Sequence, residues 1–326
     1  MNSILIIGLG SIGRRHLRNA ATRFPNAKLT VLRHRQEPDL EAENLGATII
    51  SDPDEAFGQE FDIVVLATPS ANHIDILPDL IARGYNLLVE KPVVSAVADC
   101  DTIIQSLKTA PAATRTAGFN FRYLPSLQKA KDAIDAGTLG RPARANFTAG
   151  LWLPDWRPTQ DYRTCYSADA ARGGGVELDL VHEIDVARWF FGELKLEHAH
   201  CARLSNLEIN ANDTALMTLS GQGGAPLIHV ALDYVSRQRV RHYEIIGDET
   251  GLQWDLSGHL NRLTPNSIET VTVQNADFDV PQTYLSMFDR IASAIQGNTE
   301  PHLQTLEDGI ASTRLALQAR DQGTLI

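Results

Sequence analysis

The chain has 326 residues, 43% of them apolar and 21% charged, enough length and core for two globular domains rather than one. A net charge of −11 argues against a nucleic-acid partner, and with no run of about 18 apolar residues neither a membrane span nor a membrane partner is expected. The three cysteines, Cys100, Cys165 and Cys201, include no Cys-x-x-Cys pair, which points to free thiols in a reducing compartment rather than a disulfide framework.

In chain order, Ile4 to Ile7 reads as a first strand and residues 14–23 as a first helix, with glycines between them. Lys28–Leu32 and Ala47–Ile50 are the next strands. Phe61–Ala67 is dense in β-branched residues, as a parallel strand buried on both faces requires. Thr68-Pro69-Ser70 stops it, and a helix over Ile74–Arg83 ends at Gly84. Asn86–Val89, a helix over Val97–Lys108 and a strand over Thr114–Gly118 complete an alternation that predicts a doubly wound parallel sheet. After a helix over Ser126–Ala136 the pattern changes. Ala143–Leu151, Ala215–Leu219, Leu227–Tyr234, His242–Ile246 and Leu252–Leu256 read as strands of a mostly antiparallel sheet, within a strand-rich stretch reaching about Val273. One helix, Val176–Phe191, interrupts that sheet, and helices over Gln282–Gln296 and Leu306–Arg320 close the chain. The expected fold is therefore α/β: a Rossmann domain over 1–120, then an α/β domain with a large open sheet over 121–326. The closing helices are free to pack back on the first domain.

The chemistry begins at the first glycine turn, Gly8-Leu9-Gly10-Ser11-Ile12-Gly13. Strand, glycine turn and helix N-terminus are the order a dinucleotide cradle needs. Gly8 permits the turn, Gly10 admits a pyrophosphate, Gly13 lets the helix pack, and N–H groups around Ser11 and Ile12 face the phosphates. The second strand ends at Arg33, where an NAD-specific site usually has Asp or Glu. Arginine can pair with a 2′-phosphate, with help from Arg14, so the balance favours NADP(H), with NAD(H) the alternative. Thr68, Pro69 and His73 follow a strand's carboxyl end, where open α/β sheets bind ligands, although His73 reads equally as a satisfied histidine at a helix start.

Glu90-Lys91-Pro92 lies at another strand end. There a lysine can hydrogen-bond a substrate oxygen beside the nicotinamide, and Pro92 is a candidate cis proline. Gly173-Gly174-Gly175 reads as a flexible entry to the Val176–Phe191 helix, on which Asp179 and His182, three apart, would share a face and act on a hydroxyl proton. Arg157, Arg163 and Arg172 gather in an otherwise acidic chain, and guanidinium forks suit an acidic or nucleotide-linked sugar; an ordinary salt-bridged loop is the competing reading. His198 and His200 have no supporting ligand set, so no metal is expected.

Together, GLGSIG at 8–13, ATPSANH at 67–73, EKP at 90–92, GFNFRY at 118–123, GGGVELDLVHEIDVARWFFG at 173–192, EIIGDETGLQWD at 244–255 and the closing segment from Phe288 to Ala319 resemble the glucose-fructose oxidoreductase/inositol dehydrogenase (Gfo/Idh/MocA) family. The resemblance implies NAD(P)-dependent oxidation of a sugar or cyclitol hydroxyl, or the reverse, and a homodimer or homotetramer built through the C-terminal sheet. It implies catalytic roles for Lys91 and His182, with Asp179 as acidic partner one residue nearer the histidine than in most members. Glu90 belongs to the cofactor side of that pattern, and Asn120 and Arg122 to its substrate side. The block LPDWRP, DYR and YSA around Trp156, Tyr162 and Arg163 resembles a branch linked to bacterial surface-polysaccharide sugars, and these three residues are candidate substrate contacts. Two other functions fit the same residues: a redox-assisted glycosidase, which regenerates its nicotinamide within each cycle, and a non-catalytic dinucleotide-binding sensor. The expected location is cytoplasmic, since no basic stretch precedes a cleavable apolar segment.

Overall fold

A computed structural model describes residues 1–34, 37–156, 158, 160–272 and 280–323. The chain divides into two compact units, one of Met1–Phe119 with Pro281–Ala311, the other of Asn120–Val280 with Ser312–Ile326.

The first unit is a Rossmann-type doubly wound sheet. Its elements are β1 (Ser3–Ile7), α1 (Ser11–Arg23), β2 (Lys28–Leu32), α2 (Leu40–Asn44), β3 (Thr48–Ile50), α3 (Pro53–Phe57), β4 (Ile63–Leu66), α4 (His73–Ala82), β5 (Leu87–Val89), α5 (Val97–Lys108) and β6 (Arg115–Ala117). The six strands pair in parallel in the order β3-β2-β1-β4-β5-β6. Ile4 to Ile7, Ile63 to Leu66 and Leu87 to Val89 are all buried, which is why these strands read as apolar runs rather than alternations. The carboxyl ends of β1, β4 and β5 share one edge, so Gly8, Thr68 and Lys91 emerge side by side in sheet order.

The second unit runs through α6 (Pro125–Asp135), β7 (Pro142–Gly150), α7 (Leu153–Trp156), α8 (Val176–Asp179), α9 (His182–Phe191), β8 (Lys195–Ala202), β9 (Thr214–Ser220), β10 (Leu227–Asp233), β11 (Val240–Gly247), β12 (Gly251–Asp255), β13 (Leu260–Leu263) and β14 (Ile268–Thr272). Its eight strands follow the order β14-β13-β12-β11-β7-β10-β9-β8, antiparallel except for the interior β7–β10 pair. Leu216, Leu227, Ile268 and Val271 on this sheet are exposed. Two helices, α10 (Val280–Ile295) and α11 (Leu306–Gly323), follow, and the division between the units falls within α11.

Several local expectations change. The first helix starts at Ser11 rather than Arg14, because extended Gly10 occupies its N-cap and Gly13 lies inside it. The single helix over Val176–Phe191 is two helices, broken where Leu180 leaves helical backbone at φ −97°, ψ 31°. Asp179 and His182 therefore belong to different helices and do not share a helix face as their spacing suggests. Strands β8, β13 and β14 add to those anticipated, and Val273 lies outside the described residues. Among the described residues, no helix is long and apolar enough to cross a membrane.

Candidate functional site

In the first unit the cradle is made of backbone. Gly8 sits at φ +93°, and a Cβ there would lie 2.9 Å from the Ala67 carbonyl oxygen at the end of β4. A Cβ at Gly13 would lie 2.1 Å from the Gly8 carbonyl oxygen, so α1 packs on the turn only with glycine there. At Gly10 a Cβ would meet nothing within 4 Å. Two glycines thus close the turn and the third opens it. No side chain caps α1 and its first turn has no acidic residue, so Ser11 and Ile12 begin a helix whose positive end fits an anionic pyrophosphate.

Beside the cradle, Thr68 and Pro69 follow β4 at the shared edge. His73 is buried, with Nδ1 2.9 Å from the Val93 carbonyl and Nε2 3.0 Å from that of Thr68. Burial pushes its pKa below the usual range. A neutral ring can donate to only one carbonyl at a time, so His73 lies between the loops after β4 and β5 and hydrogen-bonds one of them. Arg33, expected to meet a 2′-phosphate, pairs with Asp39 at 3.2 Å, and Arg14 pairs with Asp39 at 2.7 Å and Glu41 at 3.1 Å.

Glu90 turns inward. Its Oε1 lies 2.6 Å from Nε2 of fully buried His16, and its Oε2 accepts from the Lys91 backbone N–H at 3.1 Å. The His16 ring meets Tyr284 and Phe288 edge-on at 5.7 Å. A Cβ at Gly118 would lie 3.0 Å from this carboxylate, so the small residue leaves it room. Glu90 therefore fixes the backbone that carries Lys91, and the Lys91–Pro92 peptide is cis. His16 was not singled out from the sequence, although it stands three residues after Gly13 on the glycine-turn helix.

In the second unit, side chains make the arrangement. The glycine entry is packed rather than flexible: a Cβ at Gly174 would lie 2.4 Å from the Tyr166 carbonyl oxygen, and the Tyr166 hydroxyl donates to the Gly173 carbonyl at 2.6 Å. Beyond it, Asp179 Oδ2 accepts from the buried Tyr234 hydroxyl at 2.5 Å. Burial and the neighbouring carboxylate hold that phenol well above its usual range, so Tyr234 stays a donor. Glu177 is 1% exposed, and burial pushes its pKa up to about 7, with Asp179 adding to the shift. Tyr234 and Glu177 are not among the residues that the sequence points to; for Glu177 the available signal is two acids two residues apart after a glycine run. His182 opens α9, is 8% exposed, and stacks on Phe121 with ring centroids 4.5 Å apart.

Arg122 and Asn120, expected on the substrate side, are buried. Arg122 forms a two-pronged pair with Asp185, at 3.0 and 2.8 Å, and the Ser312 hydroxyl donates to the same carboxylate at 3.0 Å. Glu183 similarly holds Arg241 at 2.6 Å and accepts from Tyr243 at 2.8 Å. Trp156 is partly exposed, its ring 6.2 Å from that of Tyr234. The Tyr162 hydroxyl accepts from the Glu208 N–H at 3.4 Å. Exposed Arg163 pairs with Asp161 at 2.8 Å and Glu208 at 3.2 Å, as a salt-bridged loop would have it. Arg172 is exposed, and Arg157 lies outside the described residues. Among the described residues, no group of three or more His, Cys, Asp or Glu side chains could hold a metal ion.

Comparison with known proteins places both parts of the chain. The family model described as "Oxidoreductase family, NAD-binding Rossmann fold" (GFO_IDH_MocA) matches residues 2–116, and that described as "GFO/IDH/MocA C-terminal domain" matches 127–253. The uncharacterized oxidoreductase YrbE of Bacillus subtilis is 26% identical over 97% of this chain and 92% of its own. Myo-inositol 2-dehydrogenase of Thermotoga maritima is 30% identical over 68% of this chain and 65% of its own. Among solved structures, the WlbA dehydrogenase from Bordetella pertussis, in complex with NADH and UDP-GlcNAcA, superposes with a TM-score of 0.80 at 19% identity, covering 98% of this chain and 96% of that one.

Proposed function

The chain belongs to the Gfo/Idh/MocA oxidoreductase family, with an NAD-binding Rossmann domain, and on that premise we propose that it transfers a hydride between a nicotinamide dinucleotide and a hydroxyl or keto carbon of a sugar or cyclitol. The observation that carries this reading is that Lys91 leaves β5 at the same sheet edge as the open glycine turn, with its backbone fixed by Glu90. The residues of that turn fit the group: Gly10 leaves room, and the uncapped start of α1 supplies N–H donors. Bound there, the nicotinamide would supply the hydride donor or acceptor. The Lys91 ammonium steadies the substrate oxygen as negative charge develops on it. His182 exchanges the hydroxyl proton, and Asp179, whose Oδ2 accepts from the Tyr234 hydroxyl, is the acidic partner that the family pattern implies.

The finer choice of substrate is an acidic or nucleotide-linked sugar. Its support is the arginine-bearing loop around Trp156, Tyr162 and Arg163, together with the nucleotide sugar named for the Bordetella relative. The exposed apolar residues of the large sheet support contact between copies of the chain as a homodimer or homotetramer, which light scattering would measure. The test of function is a panel of sugars, cyclitols, uronates and nucleotide sugars, followed by nicotinamide absorbance with NAD and NADP in parallel. Turnover on at least one member is expected. Release of a leaving group without net change in absorbance would show a glycosidase instead, and dinucleotide binding without any turnover would show a sensor.

A further inference from the structure

A cluster of arginines and carboxylates flanks the glycine turn. The Gly8 N–H donates to the Leu32 carbonyl at 2.9 Å, so the turn adjoins the end of β2, where Arg33 follows. Arg14 stands on the first turns of α1 and grips Asp39 with two parallel hydrogen bonds of 2.9 and 2.7 Å. Its NH1 also donates to Glu41 at 3.1 Å, and the other oxygen of Glu41 takes Arg18 at 2.6 Å. Arg33 donates to the same Asp39 oxygen as Arg14, at 3.2 Å. Asp39 is 9% exposed and caps α2 by accepting from the Ala42 N–H at 3.2 Å. The hydrogen bonds from Arg14 hold its carboxyl well below the usual carboxylate range, so it is ionised at neutral pH.

These pairs change what Arg33 and Arg14 mean. In the sequence they look like a reader of the 2′-phosphate. In the fold, each already meets a carboxylate. A 2′-phosphate carries about −1.5 to −2 charges and is recognised by guanidinium forks. Here it would compete with Asp39 for both forks and stand beside two like-charged carboxylates. A ribose 2′-hydroxyl meets no such repulsion, because it is neutral and needs neither guanidinium fork.

We propose that Asp39 selects the cofactor: by holding Arg14 and Arg33 it sets the site for the 2′-hydroxyl of NAD(H) and against the 2′-phosphate of NADP(H). This rests on the dinucleotide reading of the glycine turn and departs from the NADP(H) preference that Arg33 alone suggests. A merely structural Asp39 would brace α2 and affect both cofactors alike.

The test needs no substrate. NADH and NADPH are titrated into the full chain by fluorescence, for the wild type, Asp39→Asn, Glu41→Gln and Asp39→Asn/Arg33→Ala. Asparagine remains a good N-cap, so the first substitution removes charge and leaves the helix start supported. The wild type should bind NADH tighter than NADPH by about tenfold or more, and Asp39→Asn should move the ratio toward NADPH by a similar factor. Glu41→Gln should move it less in the same direction, and adding Arg33→Ala should reverse the gain. A wild type that prefers NADPH, or an unchanged ratio in a folded Asp39→Asn protein, overturns the proposal. If Asp39→Asn does not fold, the wild-type ratio and Glu41→Gln decide. If neither cofactor binds the wild type, the dinucleotide reading itself falls, and the proposal with it.

Discussion

The two units use a glycine run before a helix in opposite ways. After β1 the run frames backbone: Gly8 and Gly13 close the turn, Gly10 opens it, and α1 starts without a side-chain cap. Before α8 the run is filled by Tyr166, and the acids beyond it are engaged with Tyr234, Arg122, Arg241 and Tyr243. A backbone cradle tolerates changes in the side chains around it so long as the glycines remain. A buried polar network depends on every member, because each lost partner leaves another group unsatisfied.

Lys91→Ala should break the comparison most visibly. If the backbone cradle holds the cofactor by itself, NADH binding stays near its wild-type value while turnover falls by about 10²–10⁴-fold. Stopped-flow turnover beside a fluorescence titration separates the two, and unchanged turnover would remove Lys91 from the mechanism. In the second unit the largest effect is on stability. Arg122→Met leaves the Asp185 carboxylate buried without its guanidinium and should cost about 3–5 kcal/mol in urea unfolding. Adding Asp185→Asn should recover part of that loss. A cost below about 1 kcal/mol would show that the pair is dispensable.

The same contrast decides what could be read from the sequence. The parallel strands were legible because burial on both faces makes them apolar runs, and the glycine turn because its spacing is local. The break at Leu180 was not, since neither proline nor glycine marks it. It coincides with tertiary bonds, Asp179 to Tyr234 and Glu183 to Tyr243, whose partners lie 55 and 60 residues away. The pairing of Arg122 was hidden for the same reason: its partner Asp185 is 63 residues on. His16 was hidden beneath Glu90, 74 residues away. Strands β8 and β14 lie at the two edges of the large sheet, where exposed polar residues blur the alternation.

Glu177 sharpens the comparison through pH. Burial raises its pKa from the usual 4.5 to about 7, so the folded state favours the protonated form. The stability this gives is fully present below about pH 4.5 and is lost as pH rises through about 7. Glutamine cannot ionise. Glu177→Gln should therefore match the wild type near pH 5 and exceed it near pH 8 by about 2–3 kcal/mol in urea unfolding. A difference that does not change with pH would show that Glu177 stays ionised in the folded protein.

The smallest effect is expected at Arg163, and its size is informative. The side chain is about half exposed and already paired with Asp161 and Glu208, so Arg163→Ala should leave stability nearly unchanged. Substrate should reveal the residue instead. To hold a sugar carboxylate or a phosphate, the guanidinium must turn part of its fork away from Asp161 or Glu208, exchanging one anion for another. The gain is modest and confined to acidic ligands. Arg163→Ala should accordingly raise KM for acidic or nucleotide-linked sugars, by about tenfold, and leave neutral sugars unaffected. Equal KM values for neutral and acidic sugars, unmoved by the substitution, would return Arg163 to the salt-bridged loop and leave substrate choice to other residues.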